Sequence, residues 1–211
     1  MRELLAHTRG KHHVIFDWNG TLLDDVDTCV GIIGKIMHRR GLSPIDRDAY
    51  LECFRFPVLD YYKQLGFDFE VASFEELSKE FICAYKEHLA DVPLHAGVQA
   101  ALQELAEAGI DRSVLSAAHE RHLEAQLARY GLKQHFTHIY GLSDNYAHSK
   151  IARGHQLLEQ LGVPPEHLLL IGDTDHDAEV ADSLGIDVLL VTGGHQSEAR
   201  LRAGGRQVLV R

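Results

Sequence analysis

Only three cysteines occur in the 211 residues, Cys29, Cys53 and Cys83. They are odd in number, widely separated and never in a C-x-x-C pair, which argues against a disulfide framework or a zinc knuckle and for reduced, buried thiols. Long apolar runs are missing as well. None approaches the ~18 residues of a membrane span, and MRELLAHTRGKHH at the N-terminus lacks a signal-peptide stretch, so a cytoplasmic protein is expected. Positive charge is scarce: the formal net charge is -10 and the pI is near 5.8. Such a field repels a nucleic-acid backbone or an anionic membrane, and neither is expected as a partner. There is no low-complexity tract, collagen-like period or internal repeat, and 45% hydrophobic with 25% charged residues is an ordinary globular balance. The 15 histidines include one adjacent pair, His12-His13, and no H-E-x-x-H spacing, so surface and packing roles are expected for most.

What is present is a change of pattern along the chain. The apolar run His13 to Phe16 reads as a strand and stops at Asp17-Trp18-Asn19-Gly20, where turn chemistry takes over. From Asp25 to Asp91 helical patterns dominate, as in VGIIGKIMHRRGL and FEELSKEFICAYKEHL, which predicts a compact helical insertion. After Pro93 the pattern alternates. Helices are predicted over Val98 to Ala108, Glu120 to Tyr130, Lys150 to Leu161 and Ala178 to Leu184. Strands are predicted over Arg112 to Ser116, Thr137 to Tyr140, His167 to Ile171, Asp187 to Val191 and Gln207 to Val210. This alternation implies an α/β fold with a doubly wound parallel sheet, because right-handed crossovers place a helix between successive strands. The expected division is a core of residues 1–24 and 92–211 with an all-α domain of residues 25–91 inserted.

Parallel sheets bind ligands beyond the carboxyl ends of their strands. Asp17 follows the first strand, Ser116 ends the second, Asp173 follows Ile171, and Lys150 opens a helix facing the same edge. Four polar groups from four segments should therefore converge. An acidic protein that handles phosphate esters needs local positive charge, which a divalent cation and a lysine would supply.

Asp17-Trp18-Asn19-Gly20-Thr21-Leu22, Ser116, Lys150 and Gly172-Asp173-Thr174-Asp175-His176-Asp177 resemble the four sequence motifs of the haloacid dehalogenase superfamily, over nearly the whole chain. PVLDYYKQLGFD is similar to phosphoglycolate-phosphatase-like members. The resemblance implies a Rossmann-like core, a mobile helical cap over residues 25–91, and a phosphatase acting on a small phosphorylated metabolite. It also implies Asp17 as the nucleophile that forms an aspartyl phosphate, with Mg2+ held by Asp17, Asp173 and the Asn19 backbone carbonyl, and Asp177 as a further ligand or the holder of a metal-bound water. Such a hard cation with oxygen ligands offsets the repulsion between two anions. Ser116 and Lys150 would stabilise charge on the phosphoryl oxygens, and Gly20, Thr21 and Ala117 would complete the cradle. Asp24 reads as a hinge or a helix N-cap. For Asp175, His176, His95, His119 and His148 a structural or solvated role is expected.

Two residues depart from the family pattern. Where its phosphatases carry a second aspartate, this chain has Asn19, whose carboxamide cannot exchange a proton near neutral pH. General acid–base help is worth ~10²–10⁴ in rate, so good leaving groups such as aryl or acyl phosphates should be favoured. Ala117 stands where an asparagine is common. Asn19 also keeps open a feebly catalytic regulatory protein that binds metal and phosphate. A third reading is carbon–phosphorus cleavage, which would need a Schiff-base lysine from Lys35, Lys63, Lys79 or Lys86.

Overall fold

The computed structural model describes residues 3–143 and 150–211; His148 lies outside them. Six short strands, β1 His13–Phe16, β2 Asp111–His119, β3 His138–Leu142, β4 Leu168–Gly172, β5 Asp187–Val191 and β6 Gln207–Leu209, form one sheet in the order β3-β2-β1-β4-β5-β6. All neighbouring pairs are parallel. Four helices, α1 Val26–Arg39, α2 Arg47–Cys53, α3 Val58–Gln64 and α4 Phe74–His88, stand between β1 and β2 and are followed by α5 Val98–Glu107. The remaining helices are α6 Glu120–Arg129, α7 Ile151–Leu161, α8 Asp175–Leu184 and α9 Glu198–Ala203.

Alternate residues of each strand point to opposite faces, and the two faces bury separate cores. Val14, Phe16, Val114, Leu169 and Ile171 pack with Leu102 and Leu105 of α5 and Leu123 and Leu127 of α6. Ile15, Leu115, Leu168 and Leu170 pack with Leu157 of α7 and Val180, Ala181 and Leu184 of α8. Helices thus cover both faces, as a doubly wound α/β fold requires.

The four-helix insertion has a core of its own, including Ile32, Ile33, Ile36, Tyr50, Tyr61, Tyr62 and Leu77. Helix α4 starts with a full capping box, in which the Ser73 hydroxyl accepts from the Glu76 N–H and Glu76 accepts from the Ser73 N–H. The chain leaves and re-enters the α/β layer side by side: Leu23 bridges Leu94, and the Asp24 N–H donates to the Pro93 carbonyl at 2.9 Å.

Several expectations need correction. Strand β2 runs on to His119 instead of ending at Ser116, because its register with β3 shifts between Leu115 and His119 and the Ser116 hydroxyl accepts from the Ala118 N–H at 3.1 Å. Helix α8 begins at Asp175, three residues early, because Thr174 and Asp177 form a capping box. The N-cap of α1 is Asp25, and Asp24 is exposed. All three cysteines are free, but Cys83 is exposed where a buried thiol is expected. Among the described residues no helix is long and apolar enough to cross a membrane.

Leu170 is fully buried between β4 and the α7–α8 layer. Its replacement by alanine should destabilise the fold by ~2–5 kcal/mol, the cost of a core cavity. Urea unfolding followed by the emission of Trp18, the single tryptophan and fully buried, measures this. A loss below ~1 kcal/mol would speak against a close-packed second face.

Candidate active site

Strand ends deliver the site. Asp17 is the first residue past β1, and its N–H donates to the Ile171 carbonyl of β4 at 2.8 Å. The Trp18 carbonyl accepts from the N–H groups of Thr21, Leu22 and Leu23, which folds the next residues into a tight turn. Gly20 sits in that turn at φ 70°, and a Cβ there would collide with the Asp173 carboxylate and the His195 ring. Gly172 and Gly194 are equally close-packed, against Asp177 and Asp173 respectively. The backbone therefore wraps tightly around two carboxylates.

Asp17, Asp173 and Asp177 each offer an oxygen within 4.8 Å of the others. Lys150, 2% exposed, lies among them: its ammonium donates to Asp17 Oδ1 at 2.6 Å and to the Leu115 carbonyl at 3.0 Å, and pairs with Asp177 Oδ1 at 2.7 Å. Asp177 Oδ2 accepts from the Thr174 hydroxyl at 2.7 Å and from the N–H groups of Thr174 and Asp173. The Asp173 oxygens accept from the Thr21 hydroxyl at 2.6 Å and the His195 N–H at 2.7 Å. Thr21, expected in the phosphate cradle, is thus spent on orienting Asp173.

Burial drives the Asp17 carboxyl up, Lys150 pulls it back, and Asp177 and Asp173 push it up again, to about 7. Burial, followed by the neighbouring Asp177, also raises Asp173, whereas Lys150 outweighs burial and lowers Asp177. Three buried carboxylates with one ammonium leave negative charge that is not neutralised. Such an oxygen-only donor set suits a hard divalent cation.

Asp17 keeps 13% of its side chain exposed and, with Ser116, Ala117, Lys150 and Asp177, lines one end of a cavity of about 740 Å³. The nine sequence-derived site positions thus divide. Asp17, Asp173, Asp177 and Lys150 are in direct contact or within cation-sharing distance, and Ser116 and Ala117 line the same cavity. Gly20 and Thr21 act through Asp173.

Asn19 is held by a group that sequence reasoning missed. Its side-chain amide donates to Asp25 Oδ2 at 2.7 Å and to the Tyr85 hydroxyl at 2.9 Å. Asp25 is fully buried and also accepts from the Gly20 N–H at 2.9 Å, the Tyr85 hydroxyl at 2.6 Å and His195 Nε2 at 3.2 Å. The Tyr50 hydroxyl bonds the other His195 nitrogen at 2.9 Å. Burial would raise Asp25, yet His195, Tyr85 and Asn19 hold it down at about 2. Burial would lower His195, yet Asp25, then Asp173 and Asp17, raise it to about 9. One sequence signal did point to His195: it follows Gly193-Gly194 after a predicted strand, at the carboxyl edge where such sheets collect ligands.

The bland readings fit the other candidates. Asp175 pairs with Arg200 at 2.7 Å, His176 with Glu179 at 3.0 Å, and His119 caps α6. His95 Nε2 meets the Gly20 carbonyl at 3.0 Å, and burial followed by the Arg211 cation lowers its pKa to about 4. Of the four insertion lysines, Lys63 and Lys79 pair with Asp60 and Glu75, Lys35 lines a separate small pocket with Asp27 and His88, and only Lys86 lines the cavity.

A family model described as haloacid dehalogenase-like hydrolase matches residues 14–191. The tyrosine-protein kinase PtkA of Mycobacterium tuberculosis is 29% identical over 86% of this chain and 62% of its own length, so the chain spans about three fifths of that relative. The N-acetylmuramic acid 6-phosphate phosphatase of Pseudomonas aeruginosa is 28% identical over 86% of this chain and 82% of its own. The solved structure of a haloacid dehalogenase-like family protein from Streptococcus pneumoniae superposes with a TM-score of 0.72 at 21% identity, covering 96% of this chain and 95% of that one, a likeness of fold.

The Asp25–His195 pair gives stability a pH signature. The His195 pKa is raised, so its contribution is complete below the unfolded value of 6.5 and fades as pH rises through about 9. Asp25 is depressed, so its contribution is complete above 3.8 and is lost as pH falls through about 2. The stability difference between wild type and His195→Gln, from urea titrations in metal-free buffer, should be largest near about pH 5–6, shrink as pH rises from 6.5 and be mostly gone by about pH 9. A difference that stays flat across this range contradicts the pair.

Proposed function

The chain belongs to the haloacid dehalogenase-like hydrolase family, and on that premise we propose that it is a magnesium-dependent phosphatase of small phosphate monoesters with Asp17 as nucleophile. The observation that carries this reading is the cluster of Asp17, Asp173 and Asp177, with Lys150 paired to Asp17 and Asp177 and these three paired residues lining a cavity. The names of the relatives, a protein kinase and a sugar-acid phosphatase, share phosphoryl transfer. Residues 1–24 and 92–211 form the catalytic core and residues 25–91 the cap. The three free thiols suit a reducing, cytoplasmic compartment.

In this mechanism Lys150 holds Asp17 Oδ1, which leaves the other carboxylate oxygen to attack phosphorus. The phosphorus–oxygen bond to the leaving alcohol breaks, and an aspartyl phosphate remains. Water then hydrolyses it, regenerating the carboxylate and releasing phosphate. Asp17, Asp173 and the Asn19 backbone carbonyl would hold magnesium, with Asp177 as a further ligand or the holder of a bound water, and the ion would supply charge neutralisation for the phosphoryl oxygens. The Ser116 hydroxyl donates to those oxygens as charge develops, and the Lys150 charge beside Asp17 favours it.

The weak link is the proton for the leaving group. Asn19 cannot supply it, and its amide is already committed to Asp25 and Tyr85. This favours esters whose alcohol leaves without help, and it is the observation behind the second reading, a slow enzyme that serves chiefly as a metal- and phosphate-binding regulator.

Hydrolysis of p-nitrophenyl phosphate should require magnesium, and Asp17→Asn should lose ~10³-fold or more, the scale of losing a nucleophile. Activity that survives in Asp17→Asn would refute the assignment. The Asn19→Asp/Asp25→Asn exchange keeps the contact between the two side chains and places a carboxyl at position 19. It should raise turnover of alkyl phosphates by ~10²-fold or more. No gain, with the protein folded and magnesium bound, would mean that another group already delivers the proton.

A further inference from the structure

We infer that the phosphate ester accepted here is that of a phenol, its ring lodged between the aromatic side chains of the helical insertion. This rests on the phosphatase reading and adds the substrate class to it. The cavity that begins at Asp17, Ser116 and Lys150 runs on to walls formed by Phe54, Phe56, Tyr61, Phe74, Phe81 and Ile82. Its volume, about 740 Å³, is that of a site for a ring-containing ligand and far exceeds a two-carbon acid.

The walls present flat faces and edges. Phe54 and Phe56 meet edge to face at 5.5 Å and 80°, and Phe81 lies nearly parallel to Tyr85 at 6.0 Å and 15°. A ring entering among them finds the offset-stacked and edge-on partners that aromatic groups prefer. A polyol or sugar would find few partners there. Asn19, Asp25, Tyr50, Tyr85 and His195 are hydrogen-bonded to one another, and among the described residues the Tyr61 hydroxyl and His176 Nε2 are the buried lining atoms left without a partner, too few for the several hydroxyls of a sugar. Lys86 and Arg129, which also line the cavity, are exposed, and the His195 ring is held by Asp25.

A second, independent observation converges on the same class. With Asn19 in place of an acid, the leaving oxygen departs unprotonated. An Asp17 oxygen bonds phosphorus, the bond from phosphorus to the aryl oxygen breaks with its electron pair on that oxygen, and the phenolate takes a proton from solvent. Water then cleaves the aspartyl phosphate, so the sum is ester plus water to phenol plus phosphate. A phenolate carries that electron pair far better than an alkoxide.

The test compares naphthyl phosphate, phosphoglycolate and acetyl phosphate in magnesium, with phosphotyrosine and a phosphotyrosyl peptide as arms that separate a free phenol ester from a tyrosyl side chain. Acetyl phosphate has an excellent leaving group and no ring, so it separates the chemistry from the cavity. Naphthyl phosphate should show a KM ~50-fold below that of phosphoglycolate, the worth of burying a ring. Ile82→Asn or Val58→Asn, each placing a carboxamide in the wall, should raise the naphthyl phosphate KM ~10-fold or more and the acetyl phosphate KM by less than ~2-fold, with the emission of buried Trp18 reporting that the variant is folded. Equal KM values for naphthyl phosphate and phosphoglycolate, or wall variants that affect all substrates alike or none, overturn the inference. If acetyl phosphate is not hydrolysed at all, the phosphatase reading fails. Calorimetry on the same protein then still reads the cavity: naphthyl phosphate binding ~10-fold tighter than phosphoglycolate supports it, and equal affinity overturns it.

Discussion

The ammonium of Lys150, closed in between Asp17 and Asp177, is the contact on which the site depends. It joins the turn after β1, the start of α7, the middle of β2 through the Leu115 carbonyl, and the first turn of α8. Removing it would leave three buried carboxylates facing one another, the kind of uncompensated charge that proteins do not tolerate. With it, the carboxylates still outnumber the ammonium, and Gly20, Gly172 and Gly194 crowd Asp173 and Asp177 so closely that a methyl group would not fit.

A second buried ion pair, Asp25 with His195, ties the helical insertion to the sheet. Asp25 immediately precedes α1, His195 follows β5, and Tyr50 of α2 and Tyr85 of α4 bond to the pair from the insertion side. The docking is reinforced where Gln196 and Arg200 donate to the Phe54 carbonyl. Asn19 belongs to this network more than to the reacting centre. Its amide neutralises no charge and moves no proton, but it satisfies Asp25, and this places the chemical weakness and the structural joint at one residue.

The sheet was legible because its signals are local. β1 and β5 have the predicted bounds, and the rule that parallel sheets gather ligands beyond their carboxyl ends led to Asp17, Ser116, Lys150 and Asp173. The early start of α8 is readable too, since Thr174-x-x-Asp177 has the spacing of a capping box. The register shift in β2 depends on a serine hydroxyl reaching its own backbone, for which the sequence offers no pattern. Asp25 and His195 lie 170 positions apart and meet only because the insertion folds back over the sheet edge. The cavity is illegible for the same reason: its phenylalanines read as helix core, and only their placement above Asp17 makes them walls.

The central claim, that three carboxylates outnumber their single lysine and so hold a cation, is tested most directly by following thermal unfolding during a magnesium titration. Wild type should gain stability saturably, by ~2.7 kcal/mol when the ion reaches 100 times its Kd, and Asp173→Asn should lose this gain. A wild-type midpoint indifferent to magnesium, or an equal gain in Asp173→Asn, would contradict the account.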